Sequence, residues 1–210
     1  MEPNKIVILG GGGHAKVLID LIRTQGNYEV VGVLDSGLGK SSKVLGVPVL
    51  GGDELLIELF KTDVKMACIG VGSVKDNSIR KRLYEKAKQI GFLIPSLSHL
   101  HAWISKETKL GEGAQIMAGV VIQPNTLVGE NTIVNTSATV DHDCIIGRDV
   151  HICPGVIVSG GVSIGDNAFV GAGATVIQGI KIGEGAFIGS GSVVLNDVLA
   201  GQKVKGVPAR

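Results

Sequence analysis

From Ile104 to Val194 every sixth residue is Ile, Leu or Val, without a break or an insertion. The series runs Ile104, Leu110, Ile116, Ile122, Val128, Val134, Val140, Ile146, Ile152, Val158, Ile164, Val170, Val176, Ile182, Ile188, Val194. These three residue types make up 67 of the 210 residues, so sixteen matches in a row would arise by chance about once in 10⁸. An α-helix cannot use such a series, because six residues turn it through roughly 600° and scatter the side chains around its axis. A coil of three short strands per turn can, with each strand giving one apolar residue to a central stack. A period of eighteen is also visible in Leu110-Gly111, Val128-Gly129, Ile146-Gly147, Ile164-Gly165 and Ile182-Gly183. The residue two places earlier is often small, as at Ala102, Ala114, Ala138, Ala168, Ala174, Ala186 and Ser192. Glycine, at 32 of 210 residues, suits corners that need positive φ. A β-sandwich would instead alternate with period two and turn irregularly. Residues 101–210 are therefore expected to form a parallel β-helix of hexapeptide repeats, about five coils long.

Residues 1–100 follow another pattern. Lys5–Leu9 reads as a buried strand, and after a glycine run His14–Thr24 carries Val17, Leu18, Leu21 and Ile22 at helical spacing. Glu29–Leu34 is a second strand ending at Asp35, and Lys65–Val71 another. Asp53 is placed to cap a helix bearing Leu55, Leu56, Leu59 and Phe60, and Asn77–Ile90 is amphipathic. Strand and helix alternation predicts a small Rossmann-like α/β domain over residues 1–100, with Ser96–His101 as a short linker. The cations Arg80, Lys81, Arg82, Lys86 and Lys88 read as the solvated face of the last helix.

The charge balance of 20 Lys+Arg against 19 Asp+Glu gives no global field toward nucleic acid or an anionic membrane. Aromatic residues at 3% leave no stacking platform for bases. Cys68, Cys144 and Cys153 are an odd count without metal-like spacing and read as reduced, packed thiols. No apolar run approaches a membrane span and the first residues do not read as a leader, so a soluble cytoplasmic protein is expected.

Two places carry chemistry. The first is Gly10-Gly11-Gly12-Gly13-His14-Ala15-Lys16, where a strand hands over to a helix and backbone N–H groups can meet an anion. The spacing Gly10-x-Gly12-x-x-Ala15, with Asp35 twenty residues beyond, fits a nucleotide sugar, a dinucleotide or merely a tight turn. The second is His142, flanked by Asp141 and Asp143. Two carboxylates favour the protonated imidazole, which suits a general base near neutral pH, although an exposed corner histidine would look the same. A catalytic metal is not expected: the repeats offer only His142 and His151, and Cys144 lacks a cysteine partner at ligand spacing.

The GGGGHAK loop, the unbroken hexads, the stretch Asn135-Thr-Ser-Ala-Thr-Val-Asp-His-Asp-Cys144, His151 and the ending Gly206-Val-Pro-Ala-Arg210 occur together. In this the whole chain resembles the sialic-acid O-acetyltransferase and UDP-amino-sugar N-acetyltransferase family. The resemblance implies that the β-helix is left-handed. It implies an acetyl-CoA-dependent N-acetyltransferase acting on a nucleotide-linked amino sugar of UDP-4-amino-sugar type in glycan biosynthesis, with O-acetylation of a sialic-acid-type sugar as the alternative. His142 resembles the general base and Asp143 its acidic neighbour, where Glu is common. Asn135, His151 and Gly160 match acetyl-CoA positions. Gly12, Gly13 and His14 match the phosphate loop, and Asp35 the nucleoside contact. Some members carry a second acid after that position, where this chain has Ser36. The resemblance further implies a homotrimer with active sites between adjacent β-helices and direct transfer without an acyl-enzyme. Lys203, Lys205 and Arg210 are candidates to meet CoA phosphates. An NAD enzyme and a non-catalytic scaffold are the rival classes.

Overall fold

A computed structural model describes residues 3–73 and 76–210. The chain divides into two compact units, one of residues 1–74 and 78–97, the other of residues 75–77 and 98–210.

The first unit is built on a five-stranded sheet. Its strands are β1 (Asn4–Leu9), β2 (Tyr28–Leu34), β3 (Lys43–Val44), β4 (Val47–Gly51) and β5 (Met66–Ile69), in the order β3-β4-β2-β1-β5. All pairings are parallel except β3 with β4. The apolar run Ile6–Leu9 buries β1 between β2 and β5, as a strand covered on both faces requires. Helix α1 (Gly13–Gln25) buries Ala15, Leu18, Ile19, Leu21 and Ile22, and ends at Gly26, whose positive φ of 71° closes the last turn onto the Ile22 carbonyl. Helices α2 (Leu56–Lys61) and α3 (Ser78–Ile90) pack Leu56, Leu83, Tyr84 and Ala87 against Val7, Leu9 and Ile69. Asp53 does not cap a helix through its side chain. It opens a short 3₁₀ turn, and its carboxylate pairs with Lys86 at 2.8 Å.

The second unit is a coil of two-residue strands joined by turns. Each strand pairs in parallel with the strand eighteen residues away, as Val121–Ile122 does with Thr139–Val140. This produces three sheets: one holds Thr139–Val140 and Ile157–Val158, the next Ile145–Ile146 and Ser163–Ile164, the third Ile133–Val134 and His151–Ile152. The third sheet begins at Leu97–Ser98, so the coil starts inside the stretch that reads as a linker. From Trp103–Ile104 to Val193–Val194 the second residue of each strand belongs to the hexad series, and from Ile116 to Val194 all are buried, with small residues such as Ala138 and Ala174 beside them. One residue in six, from Gly113 to Gly191, is left-handed. At Asn125, Asn131, Ser137, Asp143, Asp149 and Asn167 a side chain is carried there at φ of 55° to 59°. Asn and Asp tolerate this conformation better than other L-residues.

The stack is a packed interior. Replacing Ile152, which is fully buried within it, with Ala is expected to cost about 2–5 kcal/mol, as other large-to-small core changes do. Urea unfolding would check this, and a loss well under 1 kcal/mol would contradict the packing described.

Candidate active site

His142 stands immediately before the left-handed corner at Asp143, on the edge between the first and second sheets of the coil. Its Nδ1 lies 2.7 Å from Asp143 Oδ2, and its backbone N–H donates to Asp141 Oδ1 at 2.8 Å. A carboxylate can only accept, so in the neutral ring Nδ1 carries the hydrogen and Nε2 keeps a free lone pair. The Asp143 hydrogen bond, helped by the charge of Asp141, raises the His142 pKa above the usual 6.5. Asp143 is held below the ordinary carboxylate range, first by His142 and then by Asn125.

One coil further on, Gly160 forms the floor under this ring. A methyl group at Gly160 would stand 2.7 Å from His142 Cε1 and 2.8 Å from Nε2. Glycine allows this close approach of the ring. Cys144, two residues from His142, is buried with Sγ 3.2 Å from the Ser159 carbonyl, and burial raises its pKa. Burial likewise pushes the Cys153 thiol up to about 12. Neither is poised as a thiolate nucleophile.

Asn135 and His151 form a second cluster, at the edge between the third and first sheets. Asn135 Nδ2 lies 3.2 Å from His151 Nε2. His151 is buried and packs edge-on against Phe169, which stacks on Phe187 at 5.0 Å between ring centroids. The sequence offered no sign of this aromatic ladder, because its members lie eighteen residues apart. A cavity of about 320 Å³ continues it, lined by Phe187, Gly189, Lys203, Val204, Lys205 and Arg210.

In the first unit the glycines of the loop divide into two kinds. Gly10 has φ of 100°, and a methyl group on it would meet Val71 Cγ2 at 2.4 Å; one on Gly11 would meet Leu38 Cδ1 at 2.5 Å. The fold therefore needs glycine at Gly10, whereas at Gly11 the exposed Leu38 side chain would have to shift. Around Gly12 and Gly13 a methyl group would meet nothing within 4 Å, and neither has positive φ. They stand at the uncapped start of α1, where backbone N–H groups face open space. His14 lies beside Gly72. Asp35 accepts the backbone N–H of Gly11 at 2.7 Å and of Gly37 at 2.8 Å, tying two loops together. A cavity of about 180 Å³ opens beside it, at the carboxyl ends of β1 and β2, lined among others by Gly10, Asp35, Ser36, Asp53, Val71 and Arg82. This is where open parallel sheets bind ligands.

The helix cations are not all a solvated face. Arg80 is only 2% exposed and donates to the Ile69 and Val71 carbonyls at 2.9 and 3.0 Å, and Arg82 lines the cavity. Hydrogen bonding to two carbonyls at the end of β5 offsets the cost of burying the guanidinium. Among the described residues no group of three or more His, Cys, Asp or Glu is placed to hold a metal, and no helix is long and apolar enough to cross a membrane.

Residues 5–87 match the PglD N-terminal domain, and residues 107–142, 143–178 and 161–196 match the bacterial transferase hexapeptide (six repeats). No curated protein matches. A GDP-perosamine N-acetyltransferase from Caulobacter crescentus, solved with CoA and GDP-perosamine as a histidine-to-alanine mutant, is 39% identical over 98% of this chain and 95% of its own, with a TM-score of 0.93. The chain belongs to the left-handed β-helix sugar acetyltransferases. The acetyltransferase domain of PglB from Neisseria gonorrhoeae, solved in complex with acetyl coenzyme A, is 35% identical to this acetyltransferase over 100% of this chain and 99% of its own, with a TM-score of 0.92. WeeI from Acinetobacter baumannii is 27% identical over 98% of each chain, with a TM-score of 0.85.

Two outcomes are expected of the acetyltransferase. An NMR titration should place the His142 midpoint above 6.5, because both neighbouring carboxylates favour the charged ring. Asp143→Asn, which keeps the left-handed corner, should move that midpoint to lower pH; an unmoved midpoint would show that Asp143 does not act on the ring. Gly12→Ala and Gly13→Ala should leave the melting temperature close to wild type, whereas Gly10→Ala should lower it clearly. Scanning calorimetry separates the two kinds of glycine.

Proposed function

We propose that this enzyme transfers the acetyl group of acetyl-CoA to the amine of a nucleotide-linked amino sugar, with His142 as general base. The observation that carries this reading is the His142–Asp143 pair, which leaves Nε2 as the free base at an exposed corner of the coil. Family membership decides for acetyl transfer over the NAD-dependent and scaffold readings. The perosamine enzyme, whose solved form holds CoA and GDP-perosamine, supports a nucleotide sugar as acceptor and N- over O-acetylation.

His142 takes a proton from the acceptor amine as nitrogen attacks the thioester carbonyl. The C–N bond forms, the C–S bond breaks, and the proton returns to the departing CoA thiolate. No acyl-enzyme intervenes, and the buried, raised thiol of Cys144 supports direct transfer. Gly12, Gly13 and His14 hold the diphosphate at the start of α1, and Asp35 fixes the loop beside the nucleoside. Asn135 and His151 face the thioester. The cavity lined by Lys203, Lys205 and Arg210 takes the CoA phosphates.

His142 and the Asn135–His151 pair stand on different edges of one coil. That separation supports a homotrimer in which a site forms between adjacent copies. Trp103 and Ile157 on the first sheet, and Leu127 and Ile145 on the second, are exposed apolar residues suited to such contacts. The three buried free cysteines support a reducing, cytoplasmic setting.

Thiol release from acetyl-CoA, followed with a UDP-4-amino sugar, a GDP-4-amino sugar and free sialic acid, tests the proposal. Turnover on a nucleotide-linked amine, reduced about 10²–10⁴-fold by His142→Ala, is expected. Lys203→Ala with Lys205→Ala should raise KM for acetyl-CoA at unchanged kcat, and light scattering should give the mass of three chains. Turnover on sialic acid alone would replace this reading with O-acetylation, and undiminished turnover in His142→Ala would remove the base.

A further inference from the structure

One unassigned contact near the site reaches Asp143 from the neighbouring coil. Asn125 lies eighteen residues before Asp143, so the two occupy successive steps of one ladder of corners. Both are left-handed, at φ of 59° and 58°. Asn125 Nδ2 donates to Asp143 Oδ1 at 3.3 Å, leaving Oδ2 to face His142 Nδ1 at 2.7 Å.

The same device recurs on another corner ladder. Asn131 Nδ2 donates to Asp149 Oδ1 at 2.7 Å, again across eighteen residues, and Asp149 Oδ2 takes the Nε–H of Arg148 at 3.2 Å. In both cases an asparagine holds one oxygen of a corner aspartate, and the other oxygen engages the side chain just before it. At Asp149 that side chain is an arginine. At Asp143 it is the imidazole with a free Nε2.

We infer that Asn125 is a positioning residue of the acetyl-transfer site, fixing the Asp143 carboxylate so that it orients His142 for proton abstraction. This rests on the proposed role of His142 as base. A carboxylate on an exposed corner is free to rotate about its side-chain torsions. One anchored oxygen removes that freedom at the point where the ring's tautomer is chosen. The titratable residues around His142 are Asp141 and Asp143, with Cys144 buried beneath the corner; the flanking coils contribute Asn125 and Gly160, neither of which titrates.

Two substitutions that keep a left-handed corner test the inference in opposite directions. Asn125→Gly removes the amide. Asn125→Asp keeps its shape and replaces the donor with a second negative charge. The readouts are kcat, KM and the acid limb of the pH profile of kcat/KM, the limb on which the base loses its proton. Asn125→Gly should lower kcat about three- to tenfold at near-constant KM for both substrates and shift the limb to lower pH, because the unanchored carboxylate favours the charged ring less. Asn125→Asp should shift the limb to higher pH, because the added charge favours the charged ring more. A residue serving the corner alone would change the melting temperature and leave the limb in place. Limbs that remain at the wild-type position, or that move together in one direction, would overturn the inference. Full activity in His142→Ala would instead show that the base itself is misassigned.

Discussion

From Gly113 to Gly191 the coil depends on one demand of the backbone: each edge needs a residue in the left-handed conformation, six residues after the last. Most side chains resist it, so the edges are restricted to glycine, to asparagine and aspartate, and once to serine. The restriction shapes the chemistry. An acid placed at the edge beside His142 must tolerate positive φ, and aspartate does so better than glutamate. The short acid then reaches back only as far as its own preceding residue. That locality produces the His142–Asp143 pair, in which adjacent residues meet side chain to side chain at a sharp corner.

The second consequence of the coil is that a residue's working neighbours lie one full turn away. Asp143 and Gly160 meet the His142 imidazole, and Asn125 meets Asp143, so the contacts come from three successive turns. The parallel ladders fix these turns through backbone hydrogen bonds such as Asp143 N–H to the Pro124 carbonyl and Gly161 N–H to the His142 carbonyl. The apolar stack beneath holds the turns in register. A site on this scaffold inherits its precision from the main chain, with little help from large side-chain networks.

The hexads were legible because a period of six over sixteen positions has no other use. The glycine loop was legible because it sits between a strand and a helix. His142 stood out through its flanking acids, although its tautomer, the glycine floor and the asparagine were not visible. Those depend on which residues eighteen apart share an edge, and periodicity reveals the edge without revealing what two side chains do there. Arg80 is buried, not solvated: helical spacing marks a face but not the Ile69 and Val71 carbonyls awaiting it at the end of β5. Strand β3 is only two residues long, and in β4 the Pro48 ring, which cannot donate to a ladder, reads against a strand. Asp53 matches the residue preference of a cap, yet Lys86 on another helix claims its carboxylate.

The stacking of complete turns also gives this molecule a built-in ruler. Each turn advances the chain along the coil by one strand spacing, about 4.8 Å. Along the coil axis, His142 and the cationic cavity around Lys203 and Lys205 are offset by roughly three such steps, or about 14 Å. Adding or deleting eighteen residues between them would keep every strand in register and every apolar residue in the stack. The span between His142 and the cations would change by a single step. Under the proposed roles of His142 and the cationic cavity, a relative with a different number of turns between these points would be gauged for a donor of different reach while keeping the same interior.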